Sequence, residues 1–147
     1  PVNATNGFVL TTNDAVADGI EWAANTYTKP TQAFITACSD ETSDLTTGVK
    51  SEWRTPYAFT VTGVRCSVGT APTGATLEVD ILQNGVSILS TNLTIDVSEK
   101  TSVSAAIPAV ILTSALTDDS IITISILQIG STIAGAGLKV TIIGNET

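Results

Sequence analysis

The sequence predicts an all-β fold: an antiparallel β-sandwich, jelly-roll-like, with an extended N-terminal arm. Three observations predict it. Apolar and polar residues alternate over short runs from residue 33 to the end of the 147-residue chain, which is the period of a half-buried strand. Turn signals rich in Gly, Pro, Asn, Asp and Ser separate these runs every ten residues or so, the spacing of a sandwich or jelly roll. The apolar content is Ala, Val, Ile and Leu accompanied by abundant Thr and Ser, with few aromatics and no Met or His. Branched side chains of this kind suit a pleated surface. No helix of normal length is supported, and Asp14 to Ala24 is only a weak candidate. The expected organisation is an arm and linker over 1–32 and one sandwich domain over 33–147, a size that buries roughly two-thirds of its surface.

The stretch from Tyr57 to Leu89 is the centre of the expected fold. A strand runs from Tyr57 to Val68, with its inward parity slipping at Gly63, the mark of a β-bulge. A turn at Thr70 to Ala75 follows. Leu77, Val79 and Ile81 then share one face while Glu78 and Asp80 share the other. Asn84-Gly85 between two such runs is a strong hairpin signal, because a type I′ turn needs positive φ at both central residues.

On either side, the elements follow the same rules. Phe8 to Leu10 and Ile20 to Trp22 are short apolar clusters in an arm otherwise rich in Asn, Thr, Asp and Ala. Ala33 to Cys38 reads as a strand, Ser39 to Gly48 as a polar acidic loop, and Val49 to Pro56 as a strand ended by its proline. Thr91 to Asp96 alternates, Asp96 to Ser102 turns, and Ala109 to Asp119 is a short apolar run with an acidic turn. Ser120 to Gln128 is a strong strand with Ile122, Ile124 and Ile126 inward. Ile121 and Leu127 occupy its other face, which marks that face for burial as well. Gly130 to Gly137 is a glycine-rich loop and Leu138 to Ile143 the closing strand.

Charge and residue inventory narrow the function classes. The formal net charge is −8, which repels phosphate backbones and argues against nucleic acid as a partner. No apolar run reaches the length of a spanning helix, so membrane insertion is not expected. No basic segment followed by an apolar core marks a leader. The chain begins at Pro1, after a removed Met or as a fragment. Without His the usual nucleophile–base triads are excluded, and no enzyme activity or cofactor is expected. The acidic groups Asp40-Glu41-Asp44 and Asp118-Asp119 lack the spacing of a calcium loop and read as solvated turns. Gly135-Ala-Gly137 lacks the strand-then-helix context of a phosphate loop.

Cys38 and Cys66 read either as two small buried core residues or as a disulfide between neighbouring strands. Trp53 and Tyr57 read either as core or interface packing or as edge aromatics that stack on a sugar face, a glycan or receptor contact.

From Phe34 to Gly144 the chain resembles a domain of phage virion proteins, of the tail-fibre, head-fibre and minor structural kinds. The residues that carry the resemblance are Lys29-Pro-Thr-Gln-Ala-Phe-Ile-x-Ala-Cys-Ser-Asp-Glu-Thr-x-x-Leu-Thr-Thr-Gly48, Arg54-x-Pro-Tyr-Ala-Phe-Thr60, Thr70-Ala-Pro-Thr-Gly74, Val79-Asp-Ile with Asn84-Gly-x-Ser-Ile-Leu89, and Gln128-x-Gly-Ser-Thr-x-Ala-Gly135. The arm is similar to a short motif at the joints of phage tail fibres through Gly7-Phe-Val-Leu-Thr-Thr-Asn13 and Trp22. It departs from that motif at Asp14, where a glycine is expected, and at Gly19-Ile20 before the tryptophan. The resemblance implies a β-sandwich displayed on the virion surface, in a homotrimer, with other capsid, tail or fibre proteins as neighbours and a host-surface glycan as a partner. It leaves two roles, host attachment on a tail or head fibre and capsid decoration without receptor binding. Sparse charge and positive mean hydropathy independently point to surface hidden between copies. The expected oligomer contacts are Phe8, Leu10 and Trp22 in the arm with Ile121, Leu127 and Ile143 on the sandwich.

Overall fold

A computed structural model describes residues 29–147 in full, together with the backbone of two strands in the arm, β1 (Phe8–Thr12) and β2 (Ile20–Ala24). These two pair antiparallel, with Leu10 opposite Trp22, as a two-stranded sheet of their own. Ile20–Ala24 is therefore strand, which corrects the weak helix expectation for that part of the arm. The side chains of Phe8, Leu10 and Trp22 lie outside the described residues, and so does the rest of the predicted helix.

The sandwich begins with β3 (Gln32–Ala37), β4 (Gly48–Arg54), β5 (Phe59–Ser67) and β6 (Leu77–Gln83). Short pieces follow: β7 (Val86–Ser87), β8 (Leu89–Thr91), β9 (Leu93–Ile95), β10 (Val110–Ile111) and β11 (Ala115–Leu116). Two long strands, β12 (Ile121–Gln128) and β13 (Lys139–Glu146), close the domain. One sheet has the order β11-β5-β13-β3 and the other the order β4-β12-β6-β7, with β9 also pairing β6. The chain changes sheet at each step from β3 to β6 and again from β11 to β13, so the first and last strands of the sandwich lie side by side. That order, antiparallel throughout, is the jelly roll, two Greek keys wound together.

The alternation read from the sequence is the alternation of burial. Leu77, Val79 and Ile81 on β6 face Ile122, Ile124 and Ile126 on β12, all buried, with Phe59, Val61, Val140 and Ile142 from the opposite sheet. Such side chains supply the main driving force, at roughly 25 cal/mol per Å² of apolar surface removed from water. The β6–β7 turn is formed by Asn84 at φ 50° and Gly85 at φ 83°, the type I′ geometry expected. Asn84 also accepts from the Ile121 amide at 2.9 Å and donates its own to the Ile121 carbonyl at 2.8 Å, tying the hairpin to the start of β12. The predicted bulge is present: Ile143 pairs with Gly63 and Gly144 with Val61, leaving Thr62 as the extra residue.

The acidic loop is less solvated than its composition implies. Leu45 within it is buried, and its amide donates to the Gly135 carbonyl at 2.9 Å. The glycine-rich loop is thus a seat for two other loops, since Gly137 donates to Asp40 and Gly69 donates to Ala136. Leu127 is 48% exposed and is the extra residue of a second bulge, where β12 slips against β6. Ile121 on β12 and Ile143 on β13 are partly buried, and with Leu127 exposed the outer face of β12 is only partly covered within one chain.

Candidate functional site

Two regions where the sheets meet at their edges gather the side chains with most potential for recognition. The first joins β3 to β4. Phe34 on β3 packs against Trp53 on β4 with ring centroids 5.0 Å apart, and against Phe59 at 4.9 Å and Tyr57 at 6.0 Å. The tilted ring pairs are the arrangement that aromatic quadrupoles favour. Trp53 and Tyr57 are both partly buried and pack against the core. Tyr57 donates its hydroxyl to Gln32 Oε1. Trp53 Nε1 is buried with no hydrogen-bond partner among the described residues. The structure therefore brings together the two aromatics singled out from the sequence, and adds Phe34 and Phe59 as the surface they lean on.

The second region lies on the opposite side of the sandwich, between β5 and the segment that follows β9. Here a groove of about 300 Å³ is lined by Thr62, Gly63, Val64 and Arg65 of β5 together with Leu93, Val103, Pro108, Ala109 and Ile111. Its origin is local. The chain touches β5 at the Ser67–Thr101 bridge, and β11 later pairs with it only at Phe59 and Thr60. Between these points residues 105–111 swing away toward β8 and β9, with Val110 paired to Thr91. In sequence this segment reads only as turn and short apolar run. The signal present was the bulge at Gly63 and the apolar residues of the 103–112 segment, whose proximity depends on long-range pairing.

The remaining candidates are occupied structurally. Asp40 Oδ1 accepts from the amides of Ser43 at 2.6 Å and Thr42 at 2.9 Å, and these bonds hold its carboxyl down at about 2. Glu41 pairs with Lys139, and Asp119 with Arg54 at 3.3 Å. Among the described residues, no group of three or more His, Cys, Asp or Glu side chains is placed to hold a metal ion. No described helix is long and apolar enough to cross a membrane.

Cys38 and Cys66 are free thiols, both buried, which corrects the disulfide alternative and agrees with the core reading. Burial pushes the Cys66 thiol up to about 12, with Ser102 opposing it and nearby Cys38 adding to it. Burial likewise pushes Cys38 up to about 11, against a backbone bond from Val140. The reactive form of each is suppressed at neutral pH.

No protein-family model, curated protein or solved structure matches this chain.

Proposed function

We propose that the chain is a non-catalytic structural protein of the phage particle surface, a jelly-roll subunit of a tail or head fibre that serves host attachment as a homotrimer. The observation that carries this reading is a jelly roll with apolar side chains left on the outer faces of its sheets. Ile35 is 69% exposed on β3, Val49 is exposed on β4, and Leu127 is exposed on β12. A chain with so few charges hides such surface most economically against copies of itself or its neighbours. The resemblance of residues 34–144 to phage virion domains supplies the setting. Fold by itself assigns no task, since one architecture serves many.

Labelling the protein on intact particles, with density from cryo-electron microscopy, tests the placement. Density on a fibre supports attachment; density on capsomers instead makes the chain a capsid decoration protein; absence from the particle overturns both. A glycan array compared with a Tyr57→Ala chain then tests host-glycan contact at the Trp53–Tyr57 edge. Sedimentation at micromolar concentration reads the mass, and a monomer of about 15.1 kDa overturns the trimer.

A further inference from the structure

The groove beside β5 contains an unfinished piece of sheet. Cys66 donates its amide to Ser102 Oγ at 2.9 Å and Val68 donates to the Lys100 carbonyl at 3.0 Å, both on the side of β5 away from β13. Strand alternation points the N–H and C=O of Val64 to the same side. At the other end Val61 donates to the Ser114 carbonyl at 2.7 Å. Between these satisfied positions Val64 faces the groove, where the chain has swung away. Around it lie Leu93, Ala109 and Ile111, and the same segment leaves Val103 and Leu112 exposed at 69% and 70%. An open backbone edge over an apolar floor is the arrangement that takes up an added strand.

We infer that this groove receives a strand of the arm hairpin, β1 with β2, from a second copy of the chain. Charge complementarity favours that occupant. Arg65 lines the groove and Lys100 flanks it, and neither has an ion pair among the described residues. Residues 1–28 contain Asp14, Asp18 and Glu21 and no Lys or Arg. The hairpin also has reason to add to a sheet, because an isolated two-stranded ribbon is marginal in water. The exposed Val103, Ile107, Val110 and Leu112 extend the apolar surface beyond what one five-residue strand of roughly 17 Å covers, which favours a second sandwich arriving with its arm. The inference rests on the self-association proposed above and not on the virion setting.

The test mixes two full-length single variants, Thr11→Cys and Val103→Cys, under mild oxidation. A disulfide between the two different chains is expected as the main product, and the native thiols are too buried to compete. A chain carrying both changes that links within itself would put the hairpin in its own groove and overturn the assignment to a second copy. Val64→Pro removes an N–H that makes no ladder bond, so it should leave circular dichroism unchanged while weakening self-association at least about tenfold. Arg65→Glu, exposed and independent of that backbone change, should weaken association in a salt-dependent manner. A wild-type oligomer with no mixed link, and with association unchanged in both variants, overturns the groove while leaving self-association standing. A wild-type monomer overturns both.

Discussion

Thr55 and Ser120, at the adjoining ends of β4 and β12, bring their hydroxyl oxygens to 3.1 Å. They are the two buried polar residues of the described chain. Ser120 donates its amide to Thr55 Oγ1 at 2.9 Å, and both hydroxyls reach the Thr117 carbonyl, at 2.6 and 2.8 Å. The arrangement satisfies each polar group as it leaves water and fixes where the acidic turn enters β12. Thr55→Val keeps the shape but removes the hydroxyl's bond to the Thr117 carbonyl and the Ser120 amide's better acceptor, leaving that amide only its longer bond to the Thr117 carbonyl at 3.3 Å. A loss of about 1–3 kcal/mol in chemical denaturation is expected, with Thr55→Ser close to wild type.

Two glycines separate conformational from steric cost. Gly85 sits at φ 83° with open space where a Cβ would go, so Gly85→Ala should cost only the left-handed backbone penalty, roughly 1–2 kcal/mol. Gly144 has an ordinary φ, but a Cβ there would fall on the Thr60 carbonyl and crowd the Phe59 ring. Gly144→Ala must shift backbone at the β5–β13 bulge and should cost about 3 kcal/mol or more. Equal losses at the two sites would contradict this account.

The buried thiols give a pH dependence on the alkaline side. Both folded values lie above the ordinary 9.0, at about 11 for Cys38 and about 12 for Cys66. The unfolded chain therefore releases its thiol protons first as pH rises. Their contribution to stability is whole below pH 9 and is lost progressively toward 11 and 12. Cys38→Ala with Cys66→Ala should flatten that alkaline decline in thermal unfolding followed against pH. Native thiols should resist alkylation at pH 8 and react fully in denaturant.

Asp40 supplies the acid-side counterpart. Its carboxyl is lowered from 3.8 to about 2 by the Ser43 and Thr42 amides. Whatever it contributes is present above pH 4 and lost as pH falls through 2. Carboxyl chemical shifts followed by NMR should titrate with a midpoint near 2, and a midpoint at the ordinary value would show that the loop bonds do not persist in solution.

The sequence alone determined the strands and their inward faces. Ile122, Ile124, Ile126, Leu77, Val79 and Ile81 were legible because a strand repeats every two residues, and periodicity is a local property. The Asn84-Gly85 turn and the bulge at Gly63 were legible for a related reason, since each depends on the backbone freedom of one or two residues. Tertiary structure decided what long-range pairing controls. Leu45 is buried because the glycine-rich loop, ninety residues later, supplies a carbonyl and a wall. The choice between a disulfide and two buried thiols was settled by how β3, β13 and β5 lie across the sheet, which no spacing of cysteines encodes. The groove beside Val64 exists only because the chain leaves β5 after Thr101 and returns to it only at Ser114 and the two-residue β11. An edge left open by a neighbour's departure has no signature in its own residues, which is why the most promising surface of this protein appeared only with the fold.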